Sequence, residues 1–124
     1  MNKSQDISNF IEKIRSLNIR DSEIWINEAL FGFNHIKEFC KNLDTNNSVL
    51  EIGSGSGILL NLLSENFDDI NFEGIEPFGE GFSSLTSLNS LSRENGVSIK
   101  NIGYEDLSTN YKYDLIFCIN VFEH

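Results

Sequence analysis

The 124 residues carry nine basic and nineteen acidic side chains, a formal net charge of −10, and are 40% hydrophobic and 11% aromatic. Such a chain fills one hydrophobic core and not two, and its negative field disfavours nucleic acid or an anionic membrane as partner. Cys40 and Cys118 alone exclude a secreted disulfide framework, and no stretch reads as a signal peptide or membrane span, so cytoplasm is the expected location.

Ile7, Phe10, Ile11, Ile14 and Leu17 fall at helical spacing, with Ser4 or Asp6 available as cap. A second helical pattern runs over about 21–43 and places Ile36, Phe39, Cys40 and Leu43 on one face. Gly32, inside Phe31-Gly32-Phe33-Asn34, is a point where that helix can kink or divide, because glycine costs about 1 kcal/mol relative to alanine there. Asp44-Thr45-Asn46-Asn47 is a turn. Residues 1–47 are thus expected to be helices packing on a core that spans 48–124, with no linker between the two parts.

The apolar run Val49-Leu50-Glu51-Ile52 reads as a buried strand that passes straight into Gly53, Gly55 and Gly57. A leucine-rich helix over 58–67 follows, then a short strand over 71–76 that ends in the carboxylate of Glu76. In 82–92 the apolar residues recur every three positions, which predicts a helix dependent on tertiary packing; low complexity is the rival reading. Gly96 stands where the cap of that helix is expected. Residues 97–102 read as a third strand, 103–107 as a loop, and 113–120 as a fourth strand before Val121-Phe122-Glu123-His124. Strands alternating with helices predict a parallel sheet with right-handed crossovers, an α/β fold.

Strand, glycine turn and helix bring backbone close to a nucleotide-like ligand, since glycine accepts positive φ and presents no Cβ. The spacing is G-x-G-x-G with Glu51 two residues ahead, and Ile58 stands where a dinucleotide site has its last glycine. That difference points away from NAD and toward S-adenosylmethionine. An acid at the end of the second strand, as at Glu76, suits the two hydroxyls of a ribose. The set VLEIGSGSG, GIEP, GYEDL and YDLIFCINVFEH resembles the class I S-adenosylmethionine-dependent methyltransferases over residues 48–124.

The resemblance implies a Rossmann-like sheet flanked by helices and an enzyme moving a methyl group from S-adenosylmethionine to a small-molecule acceptor. It implies that Gly53, Gly55 and Gly57 pass beneath the methionine part and that Glu76 takes the ribose hydroxyls. Glu51 has two compatible roles, capping loop amides or meeting the ligand's ammonium group. Pro77 and Phe78 would flank the adenine, although Phe78 suits an ordinary core position equally. Many relatives carry an aspartate where Gly103 stands here, so adenine contacts would fall to backbone groups of Tyr104 and Glu105. Carbonyls at Cys118 and Asn120 would face the ammonium group. His124, paired with Glu123, would act as general base toward a substrate hydroxyl, or stand as an exposed residue at a helix start. His35 and His124 with scattered acids make no metal site. The rivals are an NAD-dependent oxidoreductase, which the spacing disfavours, and a cofactor-binding or interaction module without activity. Family members usually continue beyond the Glu-His pair with a helix and three strands. The expectation is therefore a sheet truncated after its fourth strand, which self-associates or takes a partner chain.

Overall fold

The computed structural model describes residues 3–77, 83–107 and 112–119. The apolar run ahead of the glycines forms β1 (Ser48–Ile52), joined through α3 (Ile58–Asn66) to β2 (Asn71–Ile75). From β2 the chain continues through α4 (Ser83–Glu94) to β3 (Ser98–Lys100), a 3-10 turn at Tyr104–Asp106, and β4 (Leu115–Cys118). Two helices, α1 (Lys3–Ser16) and α2 (Ser22–Cys40), precede the sheet. All strand pairs are parallel, in the spatial order β3-β2-β1-β4. Parallel neighbours need a crossover, and α3 and α4 supply two of them. Strands one to three build outward on one side of β1, and the fourth returns to its other side. That reversal is a topological switch point at β1, and α/β sheets of this kind bind ligands at such a point, outside the carboxyl ends of the strands.

Val49 and Leu50 of β1 are fully buried, as expected for a strand with neighbours on both sides and helices over its faces. Residues 58–63 of α3 are all buried, five of them apolar and the sixth Asn61, so the first part of this helix is enclosed on every side. The reason is its place between two layers. On one side α3 packs against the sheet, and on the other it receives α1 and α2. Two glycines mark close approaches of α3 to its neighbours. A Cβ on Gly74 of β2 would lie 2.6 Å from Leu60 Cδ1, and one on Gly32 of α2 would lie 2.9 Å from Leu59 Cδ2.

Gly32 therefore does not divide the second helix, which runs unbroken; it lets α2 sit close to α3. Phe10, Ile11 and Ile14 line the buried face of α1, whereas Leu17 lies past the helix end and is exposed. Phe39 stands at the edge of the buried face of α2 and remains outside the core, while Ile36 and Cys40 enter it. Strands three and four are shorter than the 97–102 and 113–120 patterns. At Asp114 the side chain takes over from the ladder: its Oδ2 accepts the Ser48 amide at 2.8 Å, and its own amide donates to the Ser48 carbonyl.

Candidate functional site

The strand register aligns Ile52 with both Ile75 and Cys118, and Ile75 with Lys100, so the carboxyl ends of all four strands share one edge. Gly53, Gly55 and Gly57 have φ of 72°, 55° and 81°. Each lies in the left-handed region that side chains with a Cβ enter only at a cost, which explains glycine at three alternate positions. The loop is tied to the end of β2. The amides of Gly53 and Ser54 both donate to the Ile75 carbonyl, at 2.9 and 3.0 Å. Gly55 donates its amide to Glu76 Oε1 at 2.7 Å. Gly57 closes the turn onto the Ser54 carbonyl, and Ser56 Oγ accepts the Ile58 amide at the start of α3.

Two carboxylates flank this loop in different environments. Glu76 is half-buried and already engaged with the loop amide. Glu51 is only 4% exposed, and its Oε1 is buried without a hydrogen-bond partner. Burial, and next the nearby Glu76 charge, push the Glu51 carboxyl up to about 8. The Gly55 amide is accepted by Glu76. A buried oxygen without a partner costs free energy, which an incoming N–H donor or cation would offset.

Cys118 ends β4 level with Ile52, and burial followed by the Glu51 charge raises its thiol above the ordinary value. Both cysteines are free. Pro77 is exposed beyond Glu76. Tyr104 begins the 3-10 turn after β3, and the Glu105 side chain folds back over Gly103, occupying the space that a Cβ there would enter. Phe78, Asn120, Glu123 and His124 lie outside the described residues. Among the described residues no group of His, Cys, Asp and Glu could hold a metal ion, and no helix is long and apolar enough to cross a membrane.

Three residues that sequence reasoning missed hold the loop from behind. Asn89 Nδ2 donates to the Gly55 carbonyl at 2.9 Å, Ser92 Oγ to the Ser56 carbonyl at 2.7 Å, and Asn61 Nδ2 to the Gly57 carbonyl at 3.1 Å. The available signal was the serine and asparagine bias of α4, which places polar side chains on a helix that must bury one face.

A family model described as "Methyltransferase domain" matches residues 27–124. Two uncharacterized proteins of Mycobacterium tuberculosis are each 32% identical over 101 residues, covering 78% of this chain and 33% of their own length. The chain therefore spans about a third of the curated relatives it matches. Among solved structures, coclaurine N-methyltransferase bound to N-methylheliamine and SAH is similar with a TM-score of 0.57 at 18% identity, over 76% of this chain and 27% of that one. The SAM-bound amino pentose methyltransferase CalS10 of Micromonospora echinaspora gives 0.50 at 20% identity, over 77% and 36%. At these identities the likeness is one of fold.

Proposed function

Because the chain belongs to the family of methyltransferase domains, we propose that its glycine loop and paired carboxylates bind S-adenosylmethionine for methyl transfer to a small-molecule acceptor. The observation that carries the reading is the buried, unpartnered Glu51 oxygen behind a loop whose three glycines all have positive φ. A ligand that carries an ammonium group beside a ribose fits this donor and acceptor set. Glu51 would meet the ammonium group, and Glu76 the ribose hydroxyls through the acceptor capacity that its bond to Gly55 leaves open. Gly53, Gly55 and Gly57 would give the methionine part a surface free of side chains. Pro77 and Phe78 would border the adenine on one side, and Tyr104 and Glu105 on another. Glu105 folds over Gly103, so its carboxylate can serve where relatives use an aspartate. Cys118 and Asn120 would offer backbone carbonyls, and His124 would take a proton from the acceptor.

When bound, the cofactor supplies an electrophilic methyl group on a sulfonium. The protein's own task is then mainly to position the two reactants and exclude water, which requires few catalytic side chains. The small-molecule class of acceptor takes its support from the acceptors named for the two fold neighbours, coclaurine and an amino pentose. Calorimetry is expected to show binding of S-adenosylmethionine or S-adenosylhomocysteine and none of NAD. Tight NAD binding without response to either adenosyl ligand would overturn the reading. Binding without transfer of a labelled methyl group to any acceptor would mark a cofactor-binding module instead.

A further inference from the structure

Of the buried polar side chains among the described residues, Glu51, Ser54, Ser56, Asn61, Asn89 and Ser92 lie on or against the glycine loop, and only Ser22 lies elsewhere. Burying polar groups costs free energy unless each finds a partner, so this concentration calls for a local cause. The hydrogen bonds supply it. Three consecutive carbonyls, those of Gly55, Ser56 and Gly57, each accept from one side-chain donor. Asn95 extends the set by donating to Asn61 Oδ1 at 2.7 Å.

We propose that Asn89 and Ser92 of α4, with Asn61 of α3, are positioning residues that hold the loop carbonyls and thereby set the loop surface offered to the methionine part of the cofactor. Successive carbonyls held by donors from two helices fix the peptide planes between them, and with them the direction of the intervening amides. Shape agrees with this. A Cβ on Gly57 would lie 2.7 Å from Ser92 Cβ and 2.6 Å from Ile99 Cδ1, so α4 and β3 are seated directly against the loop. Three glycines at alternate positions reach positive φ without strain but leave the loop few inherent restraints, because glycine loses the most conformational freedom on folding. Donors at fixed places on two helices over-determine it. Asn89 and Ser92, the two buried polar side chains described on α4, are thus recruited to one task.

The inference rests on the cofactor reading above. The test measures S-adenosylhomocysteine and 5′-methylthioadenosine affinities by calorimetry, together with thermal unfolding, in Ser92→Ala, Asn89→Asp and the exposed control Ser90→Ala. Methylthioadenosine retains the ribose and adenine but lacks the amino acid part. Ser92→Ala and Asn89→Asp are expected to weaken S-adenosylhomocysteine roughly tenfold, the scale of one lost hydrogen bond. Ser92→Ala should change methylthioadenosine affinity by less than about threefold, and Ser90→Ala should change neither affinity. If Asn89→Asp does not fold, Ser92→Ala carries the test, since it removes one oxygen and improves helix propensity. Wild-type binding with unaltered affinity in the folded variants overturns the inference alone, whatever happens to stability. Equal weakening of both ligands by Ser92→Ala also overturns it, because a general structural role would produce that. Wild-type protein that binds neither ligand overturns the cofactor reading first.

Discussion

At Glu51 the fold holds a carboxyl in surroundings that favour its neutral form, and the consequence is a defined pH dependence. Its value rises from 4.5 in the open chain to about 8 in the folded protein, through burial first and the Glu76 charge second. Folded protein therefore keeps a proton that the unfolded chain has released between these limits. The stability linked to this group is fully present below 4.5, declines as pH rises through the window, and is gone above about 8. Glu51→Gln is an uncharged near-isostere and should remove that decline. Denaturant midpoints from pH 5 to 9 would then fall for wild type and stay flatter for the variant. Parallel profiles would contradict the burial of a titrating Glu51. Glu76 has a different balance, because its Oε1 holds the Gly55 amide at 2.7 Å and, in the proposed site, its remaining acceptor capacity would meet the ribose. Glu76→Ala should lower S-adenosylhomocysteine affinity by about 1.5–3 kcal/mol, the range for hydrogen bonds to a charged group. The loss includes a contribution from the released loop. Unaltered affinity in a folded variant would remove Glu76 from the site.

Among the elements, two glycines at positive φ separate backbone strain from steric contact. Gly57 opens α3 with φ 81° and has Ser92 and Ile99 against the place of a Cβ. Gly96 follows α4 with φ 108° and has open space there. Alanine at Gly96 should cost about 1–2 kcal/mol through backbone strain alone. At Gly57 overpacking adds about 1–3 kcal/mol, and the loop should lose cofactor affinity as well. Equal melting shifts for Gly57→Ala and Gly96→Ala would show that α4 does not press on the loop. These two residues also show what a sequence makes legible. Val49 and Leu50, the three loop glycines and the Glu76 terminus stand out because strand burial, positive φ and a strand-end acid leave local patterns. The alternation of strands and helices gives the parallel sheet in the same way. Gly32 reads as a helix breaker and Gly74 as nothing in particular, since their partners Leu59 and Leu60 lie on another element. Asn89 and Ser92 are equally silent, because a donor's carbonyl partner 34 or 36 residues away leaves no periodic trace.

For the molecule as a whole, the outer side of β4 opposes a net charge of −10 in deciding how copies of the chain behave in solution. β4 pairs with β1 on one side and ends the described sheet on the other, presenting backbone groups with no strand beside them. It carries Ile116 at 53% exposure, and α2 adds Ile24, Phe31 and Phe39, each more than half exposed. An apolar edge strand without a covering charge, Pro or bulge is a template for another strand. Like charge on two copies resists their approach, but at 0.15 M salt that repulsion decays over about 8 Å, and over about 3 Å at 1 M. A polypeptide of these 124 residues should therefore associate through β4 at micromolar concentration, and more strongly as salt is raised. Ile116→Lys, which places a charge on the edge without touching the buried Phe117, should return the chain to a monomer at every salt concentration. Sedimentation velocity across a salt series reads both effects. A wild-type monomer throughout would show that the described edge is not available for strand pairing, while association that survives Ile116→Lys would move the contact to the apolar residues of α2.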